Sequence, residues 1–264
     1  MTELQKRVLV SVIFIPLILA VIWFGGIWLI LGFALVTLLA SSEYIALLRG
    51  VEVKLGWPWL VVAVAAYLVM AIWRDFDPAV LWALFLVAAL PSVFLWNREK
   101  SLPRAALSFF GLFYTAVLPA LIVRLGQDHL QARTLLWLLI LIWCTDSAAY
   151  FVGMAWGRRR NVFAMSPNKS WEGFAAGALV PFLIVIILYF TKVADGLAVL
   201  LLTAFAAGII GQFGDLVESG VKRFCAAKDS SRLIPGHGGI LDRSDSLLLA
   251  GSFLYCALKV ISKV

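Results

Sequence analysis

The sequence predicts an all-α, polytopic integral membrane protein with about nine transmembrane helices and a cytoplasmic N-terminus. Of the 264 residues, 63% are apolar and only 14% are charged, whereas a soluble domain carries about 25% charged residues. The apolar residues form runs that approach the roughly 20 residues a helix needs to cross the hydrocarbon core. Because lipid offers the backbone no hydrogen-bond partners, such runs are expected to form a helical bundle.

Charged residues and Gly/Pro positions divide the chain into nine apolar runs. The second run contains Glu43 near its end, and the sixth contains Asp146. Lys6 and Arg7 precede the first run as in a signal peptide, but apolar runs continue to the C-terminus and favour a retained helix. The runs cover approximately residues 8–25, 27–48, 57–73, 78–96, 105–123, 134–153, 174–191, 196–217 and 246–262.

The distribution of Lys and Arg predicts the orientation. With the N-terminus in the cytoplasm, most of the 22 basic residues fall in cytoplasmic segments, as the positive-inside rule requires. This orientation gives N-terminal transmembrane helices in residues 1–133 and a catalytic region in residues 134–264, with cytoplasmic loops at 154–173 and 218–245. Chain length favours a bacterial cytoplasmic (inner) membrane and leaves an organelle membrane open.

The net charge of +7 does not indicate a nucleic-acid partner, because the chain has no long basic stripe and no nucleic-acid-binding module. Basic residues that orient the spans explain this charge. The three cysteines, Cys144, Cys225 and Cys256, have no metal-binding or disulfide spacing and receive no role.

The predicted loop at residues 218–245 is unusually dense in charge. It holds five Lys or Arg residues, four acidic residues and His237. Ammonium and guanidinium groups bind phosphates, and carboxylates bind divalent metals. The composition therefore indicates a site for a polyanion held together with a cation.

Two pairs of carboxylates lie at the two ends of this loop. Asp215 and Glu218 are three residues apart, as are Asp242 and Asp245, so each pair shares one helical face. Asp215 interrupts an apolar run, where an ionisable group costs about 2.5–3.5 kcal/mol or more and is a functional candidate. For Asp242 an ordinary N-cap is an equally simple interpretation.

Three glycines surround the loop histidine: Gly236, Gly238 and Gly239 flank His237. Glycines let backbone amides approach phosphate oxygens closely, although a simple turn explains them too. His237 is a candidate phosphate donor, a general acid or a solvated loop residue, and the sequence does not decide among these.

An earlier cytoplasmic stretch has similar character. Asp146 lies four residues before Tyr150, and Lys169 can reach a phosphate. Glu172 can pair with Lys169, cap the following helix or assist metal binding. Gly153 and the following small residues fit a helix-packing face, and the three arginines 158–160 fit orientation charges.

These residues together resemble a known family. Residues 219–245 (SGVKRFCAAKDSSRLIPGHGGILDRSD) look like the signature of phosphatidate cytidylyltransferases, also called CDP-diacylglycerol synthases. One departure is Ser244, where the family usually has an apolar residue. Residues 146–153, 166–173 and 212–218 also resemble family motifs, whereas over residues 1–133 the resemblance rests on hydropathy.

The resemblance implies that CTP reacts with phosphatidate in the bilayer to give CDP-diacylglycerol and pyrophosphate, with Mg²⁺ and, as an open question, a second cation. It also implies an all-helical membrane fold and a homodimer. Alternatives are another CTP-dependent lipid enzyme, such as a polyprenol kinase or an archaeal-type CDP-lipid synthase, or a transporter. A transporter predicts ionisable groups near mid-membrane, whereas the acids here cluster at span ends.

The candidate site residues fall into three groups. The catalytic candidates are Asp215, Asp242, Asp245, Lys222 and His237, of which the three aspartates are the expected metal ligands. The substrate-binding candidates are Lys169, Ser219, Arg223, Lys228, Asp229, Gly238, Gly239 and Arg243. The second-tier candidates are Asp146, Glu172 and Glu218.

Overall fold

A computed structural model of the chain describes residues 3–127, 129–193, 196–234, 236 and 238–261. Most of the residues in these ranges are helical. The one extended pairing among them is an isolated bridge between Ile234 and Gly238. The predicted site residue His237 lies outside the described residues. The α-helices are α1 (Glu3–Phe24), α2 (Gly26–Leu48), α3 (Trp57–Ile72), α4 (Asp77–Phe94), α5 (Ser101–Leu112), α6 (Leu118–Gln127), α7 (His129–Trp156), α8 (Trp171–Phe190), α9 (Leu197–Phe205), α10 (Gln212–Phe224) and α11 (Leu241–Ile261).

The described helices confirm an all-helical protein with several candidate membrane spans. Each of the nine predicted apolar runs overlaps one helical stretch, but two of these, Val10–Phe24 and Trp57–Ile72, are shorter than the others. Seven stretches are long and apolar enough to cross a membrane: Gly26–Val51, Arg74–Phe94, Ser101–Gln127, Arg133–Trp156, Trp171–Phe190, Leu197–Phe224 and Leu241–Ile261.

Two of these spans contain a π-helical segment. Phe113–Val117 joins α5 to α6, and Ala206–Gly211 joins α9 to α10. A π-helical turn adds a residue and so rotates the helix that follows it. In the second span the Gln212 side chain donates to the Gly208 carbonyl at 2.5 Å and to the Phe174 carbonyl at 3.1 Å. The polar side chain thereby joins the π-helical segment to α8.

The helices extend further into the polar segments than hydropathy indicated. Helices extend into both ends of the predicted cytoplasmic loops at 154–173 and 218–245: α7 runs to Trp156, α8 begins at Trp171, α10 runs to Phe224 and α11 begins at Leu241. The physical reason is that charge at the end of a span ends the apolar pattern without ending the helix. Consequently Asp215, Glu218, Lys222, Asp242 and Asp245 all lie on helices. The cytoplasmic position of these segments stays a prediction.

Helices from both sides of residue 133 share one buried core. Ile122 on α6 and Leu248 on α11 are both 0% exposed. A Cβ added at Gly251 of α11 would lie 2.7 Å from Ile122 Cγ1, so the glycine allows close approach of the two helices. The N-terminal helices therefore pack directly against the helix that carries the predicted site.

A buried arginine joins three helices near the end of α6. Arg124 is 1% exposed, and its guanidinium donates to Asp77 at 2.5 and 2.6 Å. It also donates to the carbonyls of Met70 at 2.6 Å and Trp73 at 3.2 Å. These bonds fasten the end of α3 and the start of α4 to α6.

Candidate active site

Three carboxylates meet where α10 packs against α11. Asp215 and Glu218 on α10 and Asp245 on α11 each have an oxygen within 4.8 Å of the others. Asp215 is partly buried, Glu218 is 2% exposed and Asp245 is 8% exposed. The three-residue spacing on α10 brings its two acids to one face, and this face lies against the first turns of α11.

Close packing of the two helices depends on a glycine beside the acids. A Cβ added at Gly214 would lie 2.6 Å from the Asp245 carbonyl oxygen and 3.0 Å from Ser246 Cα. Any larger residue would force the helices apart. Gly214 therefore allows Asp245 to approach the α10 carboxylates.

Two lysines neutralise this acidic cluster. Lys222 forms ion pairs with Glu218 and with Asp242, the latter at 2.6 Å. Lys169, from the segment before α8, forms an ion pair with Asp215. The Lys222 side chain is 11% exposed, and opposite charge compensates the burial of its ammonium group.

Asp242 has a different environment from the other acids. Its Oδ1 accepts from Lys222 at 2.6 Å, and its Oδ2 accepts from the amides of Ser230 at 2.9 Å and Gly239 at 2.8 Å. The Ser230 and Gly239 amides both precede α11, whereas the side chain of an N-cap residue accepts from amides inside the helix. Asp242 is therefore not an ordinary N-cap. Both oxygens of Asp242 are thus engaged by groups of the protein.

The acids and lysines surround a cavity of about 640 Å³. Several lining residues are not among the predicted candidates: Arg160, Asn168 and Gln212 are examples. The predicted site residues that line the cavity are Asp146, Lys169, Asp215, Lys222, Asp229, Asp242, Arg243 and Asp245.

Glu218 and Ser219 lie directly behind the cavity wall. Glu218 contributes to the acidic cluster, and the Ser219 hydroxyl lies 3.4 Å from Asp215 Oδ1. Gly238 has a positive φ of 83°, which favours glycine. A Cβ there would also lie 2.6 Å from Asp242 Oδ2.

Three other candidates lie away from the lining. Arg223 is exposed and donates to the carbonyls of Met165 and Ala227, and Lys228 is exposed on the surface. Glu172 accepts from the amides of Arg158 and Arg159 at 3.2–3.3 Å. The structure thus gives Glu172 the role of fastening the preceding loop to the start of α8.

Small residues in the cavity wall bring α7 and α8 together. A Cβ added at Gly173 would lie 2.7 Å from the Ala149 carbonyl oxygen and 3.2 Å from Gly153 Cα. The Ser170 hydroxyl accepts from the Gly173 amide at 3.1 Å and caps α8. Gly153 therefore lies in a helix-packing face, as the sequence predicted for it.

The acidic cluster fits a hard divalent cation. Oε1 of Glu218 is buried and has no hydrogen-bond partner among the described residues, although a buried polar atom normally has one. Its neighbours Asp215 and Asp245 supply further oxygens within 4.8 Å. Mg²⁺ prefers oxygen ligands and binds through a few carboxylates.

Sequence reasoning missed one acidic side chain that contacts the site region. Glu43 on α2 is 4% exposed and accepts hydrogen bonds from Ser230, Ser231, Ile240 and Leu241. Its position in an apolar run was a signal, because such a residue is a functional candidate by default. The sequence did not indicate its partner.

The described residues form an all-helical protein with seven candidate membrane spans and a cavity lined by carboxylates and basic side chains. Residues 5–261 match the model of the Cytidylyltransferase family. The chain therefore belongs to the cytidylyltransferase family and is a nucleotidyltransferase.

Individual relatives agree with this family. The phosphatidate cytidylyltransferase of Brucella suis biovar 1 is 34% identical over 273 residues, which cover 97% of this chain and 93% of that protein. The phosphatidate cytidylyltransferase of Bacillus subtilis is 46% identical over 127 residues, which cover 47% of this chain and 46% of that protein. The match to the first relative extends the similarity into the N-terminal half, where the sequence alone showed only hydropathy.

Proposed function

We propose that this chain transfers the cytidylyl group of CTP to phosphatidate, giving CDP-diacylglycerol and pyrophosphate. The observation that carries the proposal is the cavity in which Lys169 and Lys222 lie beside three clustered carboxylates. Such a cavity suits a reaction between two anions, and the names of the relatives specify the lipid and the nucleotide. A transporter is disfavoured, because these carboxylates lie in the last three turns of the candidate span Leu197–Phe224 and in the first turns of α11.

In the proposed reaction a phosphate oxygen of phosphatidate attacks the α-phosphorus of CTP. The new P–O bond forms as the bond from the α-phosphorus to the bridging oxygen of pyrophosphate breaks. The nucleophile is already an anion, so positioning and charge neutralisation supply most of the catalysis. Lys169 and Lys222 then serve to reduce the repulsion between the reactants, with Arg160 and Arg243 from the same cavity wall.

The proposed Mg²⁺ ligands are Asp215, Glu218 and Asp245. This set differs from the sequence-based set by exchanging Asp242 for Glu218, because both oxygens of Asp242 already accept hydrogen bonds. Bound there, Mg²⁺ would supply neutralisation of phosphate charge. A second cation stays a prediction.

The proposal includes the topology and assembly. In the proposed topology the chain crosses the membrane nine times, with the two shorter apolar helices counted as spans, the N-terminus is cytoplasmic and the cavity lies at the cytoplasmic leaflet. The positive-inside distribution supports this orientation, and CTP is a cytoplasmic substrate. The bacterial relatives support an inner membrane, and the family resemblance supports a homodimer.

Labelled CTP tests the proposed function directly. We expect the purified protein with Mg²⁺ to form labelled CDP-lipid and pyrophosphate from phosphatidate, and no labelled product from polyprenol or archaeal-type ether lipid phosphate. Product analysis distinguishes the alternatives, since a lipid kinase would release CDP and a phosphorylated lipid. Flux of a solute without nucleotide turnover would instead support a transporter.

Gly214→Ala is expected to lower the rate of CDP-lipid formation by on the order of 10-fold to 100-fold, because displacing reactive groups by about 1 Å can cost that much. Its methyl group would press against the Asp245 backbone and widen the acidic cluster. The matched control is Gly220→Ala on the same helix, where the nearest atom to an added Cβ is 4.0 Å away. Wild-type activity in Gly214→Ala would show that the approach of the two helices is not required.

A further inference from the structure

Glu43 joins the N-terminal half of the chain to the segment between α10 and α11. Its Oε1 accepts from the Ser231 hydroxyl at 2.7 Å and the Ile240 amide at 2.9 Å. Its Oε2 accepts from the Ser230 hydroxyl at 3.0 Å and the Leu241 amide at 2.9 Å. A single carboxylate thus holds both ends of residues 230–241.

This contact also supplies an anion to the start of α11. The Ile240 and Leu241 amides lie where a helix begins, and such amides favour a negative charge. Here the charge comes from α2, 198 positions away from Leu241 in the sequence. Gly239 lies against Glu43 and Ser230 so closely that any Cβ would overlap both side chains. The backbone is therefore fitted closely around the carboxylate.

A chain of short contacts leads from Glu43 to the cavity. The Ser230 hydroxyl lies 3.0 Å from Glu43 Oε2 and 2.8 Å from Asp242 Oδ2, and it can donate its proton to either. The Ser230 amide donates to Asp242 at 2.9 Å. Asp242 in turn accepts from the Lys222 ammonium at 2.6 Å. Glu43 thus helps to set the position of Lys222 through Ser230 and Asp242, in addition to the direct ion pair of Lys222 with Glu218.

We infer that Glu43 is a positioning residue: through Ser230 and Asp242 it fixes the Lys222 ammonium for binding the triphosphate of CTP. The inference rests on the proposed function, in which Lys222 binds the nucleotide. Residues between α10 and α11 would lose much conformational entropy to hold Asp242 unaided. The two oxygens of the buried Glu43 carboxylate accept four hydrogen bonds, which hold this segment in place. Glu43 itself does not line the cavity and acts only through its partners.

Glu43→Gln tests this inference. The glutamine side chain has one acceptor oxygen, and its NH₂ group would face one backbone amide and one serine hydroxyl. The hydroxyl can turn to accept a hydrogen bond, but the bond from the amide is lost together with the negative charge. We expect CTP binding to weaken by on the order of 10-fold, as is common for groups that orient a ligand-binding residue. The KM for CTP should rise in parallel, whereas the KM for phosphatidate should stay unchanged. The matched control is the neighbouring exposed Ser42→Ala, whose hydroxyl donates only to the Leu39 carbonyl.

A double-mutant cycle separates positioning from general damage. If Glu43 acts through Lys222, adding Glu43→Gln to Lys222→Ala should change CTP binding by less than about twofold, because residues in one network are not additive. A full further loss in the double variant, or an equal rise in both KM values for Glu43→Gln alone, would overturn the inference. Ser230→Ala removes only the bridging hydroxyl and provides a second test if Glu43→Gln does not fold. Unchanged CTP binding in a folded Ser230→Ala would also overturn it.

The binding measurement keeps the two proposals apart. CTP binding is titrated on purified protein without lipid substrate, and CDP-lipid formation is measured separately. Absence of CDP-lipid with wild-type protein would contradict the proposed function. Wild-type CTP affinity in Glu43→Gln, together with weakened binding in Lys222→Ala, would contradict the positioning role alone.

Discussion

Asp245→Asn is expected to lower CDP-lipid formation by on the order of 100-fold or more, a typical loss when a group that organises transition-state charge is removed. Asp245 is 8% exposed and has its carboxylate beside those of Asp215 and Glu218. An amide of the same shape keeps the packing but removes one of three negative charges that can hold Mg²⁺. The rate should therefore require a higher Mg²⁺ concentration, which a titration of activity against Mg²⁺ measures.

Two comparisons make this prediction specific. Asp75→Asn changes an exposed acid in a short helical turn before α4 and should leave both rate and Mg²⁺ dependence unchanged. Asp242→Asn should weaken CTP use with little change in the Mg²⁺ requirement, because both Asp242 oxygens already accept hydrogen bonds from Lys222, Ser230 and Gly239. A shift of Mg²⁺ dependence in Asp242→Asn without one in Glu218→Gln would restore the sequence-based set of metal ligands.

Arg124→Met is expected to destabilise the fold by about 3–5 kcal/mol, the usual cost of removing one partner of a buried ion pair. The methionine fits the space, but it leaves Asp77 without its bidentate partner and two carbonyl oxygens without a donor. The apparent melting temperature in detergent should fall markedly. Arg124→Lys should recover only part of the loss, since a lysine cannot form the forked contact.

The matched control for the arginine is Arg98→Met. Arg98 is exposed, and surface substitutions usually change stability by less than about 0.5 kcal/mol. Equal melting temperatures for Arg124→Met and wild type would show that the buried arginine is not needed to hold α3, α4 and α6 together.

Hydropathy predicted the helices well and their ends poorly. Every predicted apolar run overlaps a helix, because burial in lipid requires both apolar side chains and a backbone that is bonded internally. The ends differ where charged residues continue a helix, as in α10, which runs through Lys222 to Phe224. Hydropathy measures where lipid ends, whereas the helix ends where its backbone bonding ends.

The sequence predicted which charged residues belong to the candidate site, but it did not predict which of them contact one another. Local spacing correctly placed Asp215 and Glu218 on one face of a helix, since helical geometry relates residues three apart. It did not indicate that Lys222 would engage Asp242 while Glu218 joined Asp245. Those pairings depend on how closely α10 approaches α11, which Gly214 permits.

The sequence by itself determined that this protein is helical, has apolar segments long enough to cross a membrane and belongs to the cytidylyltransferase family, and it predicted chemistry in the C-terminal half. These properties follow from hydropathy and from a continuous motif, both of which are written along the chain. Only the tertiary structure decided which carboxylates lie within 4.8 Å of one another and that Glu43 contacts Ser230, 187 positions later. Contacts between distant segments arise from helix packing, which fixes distances that no local pattern contains.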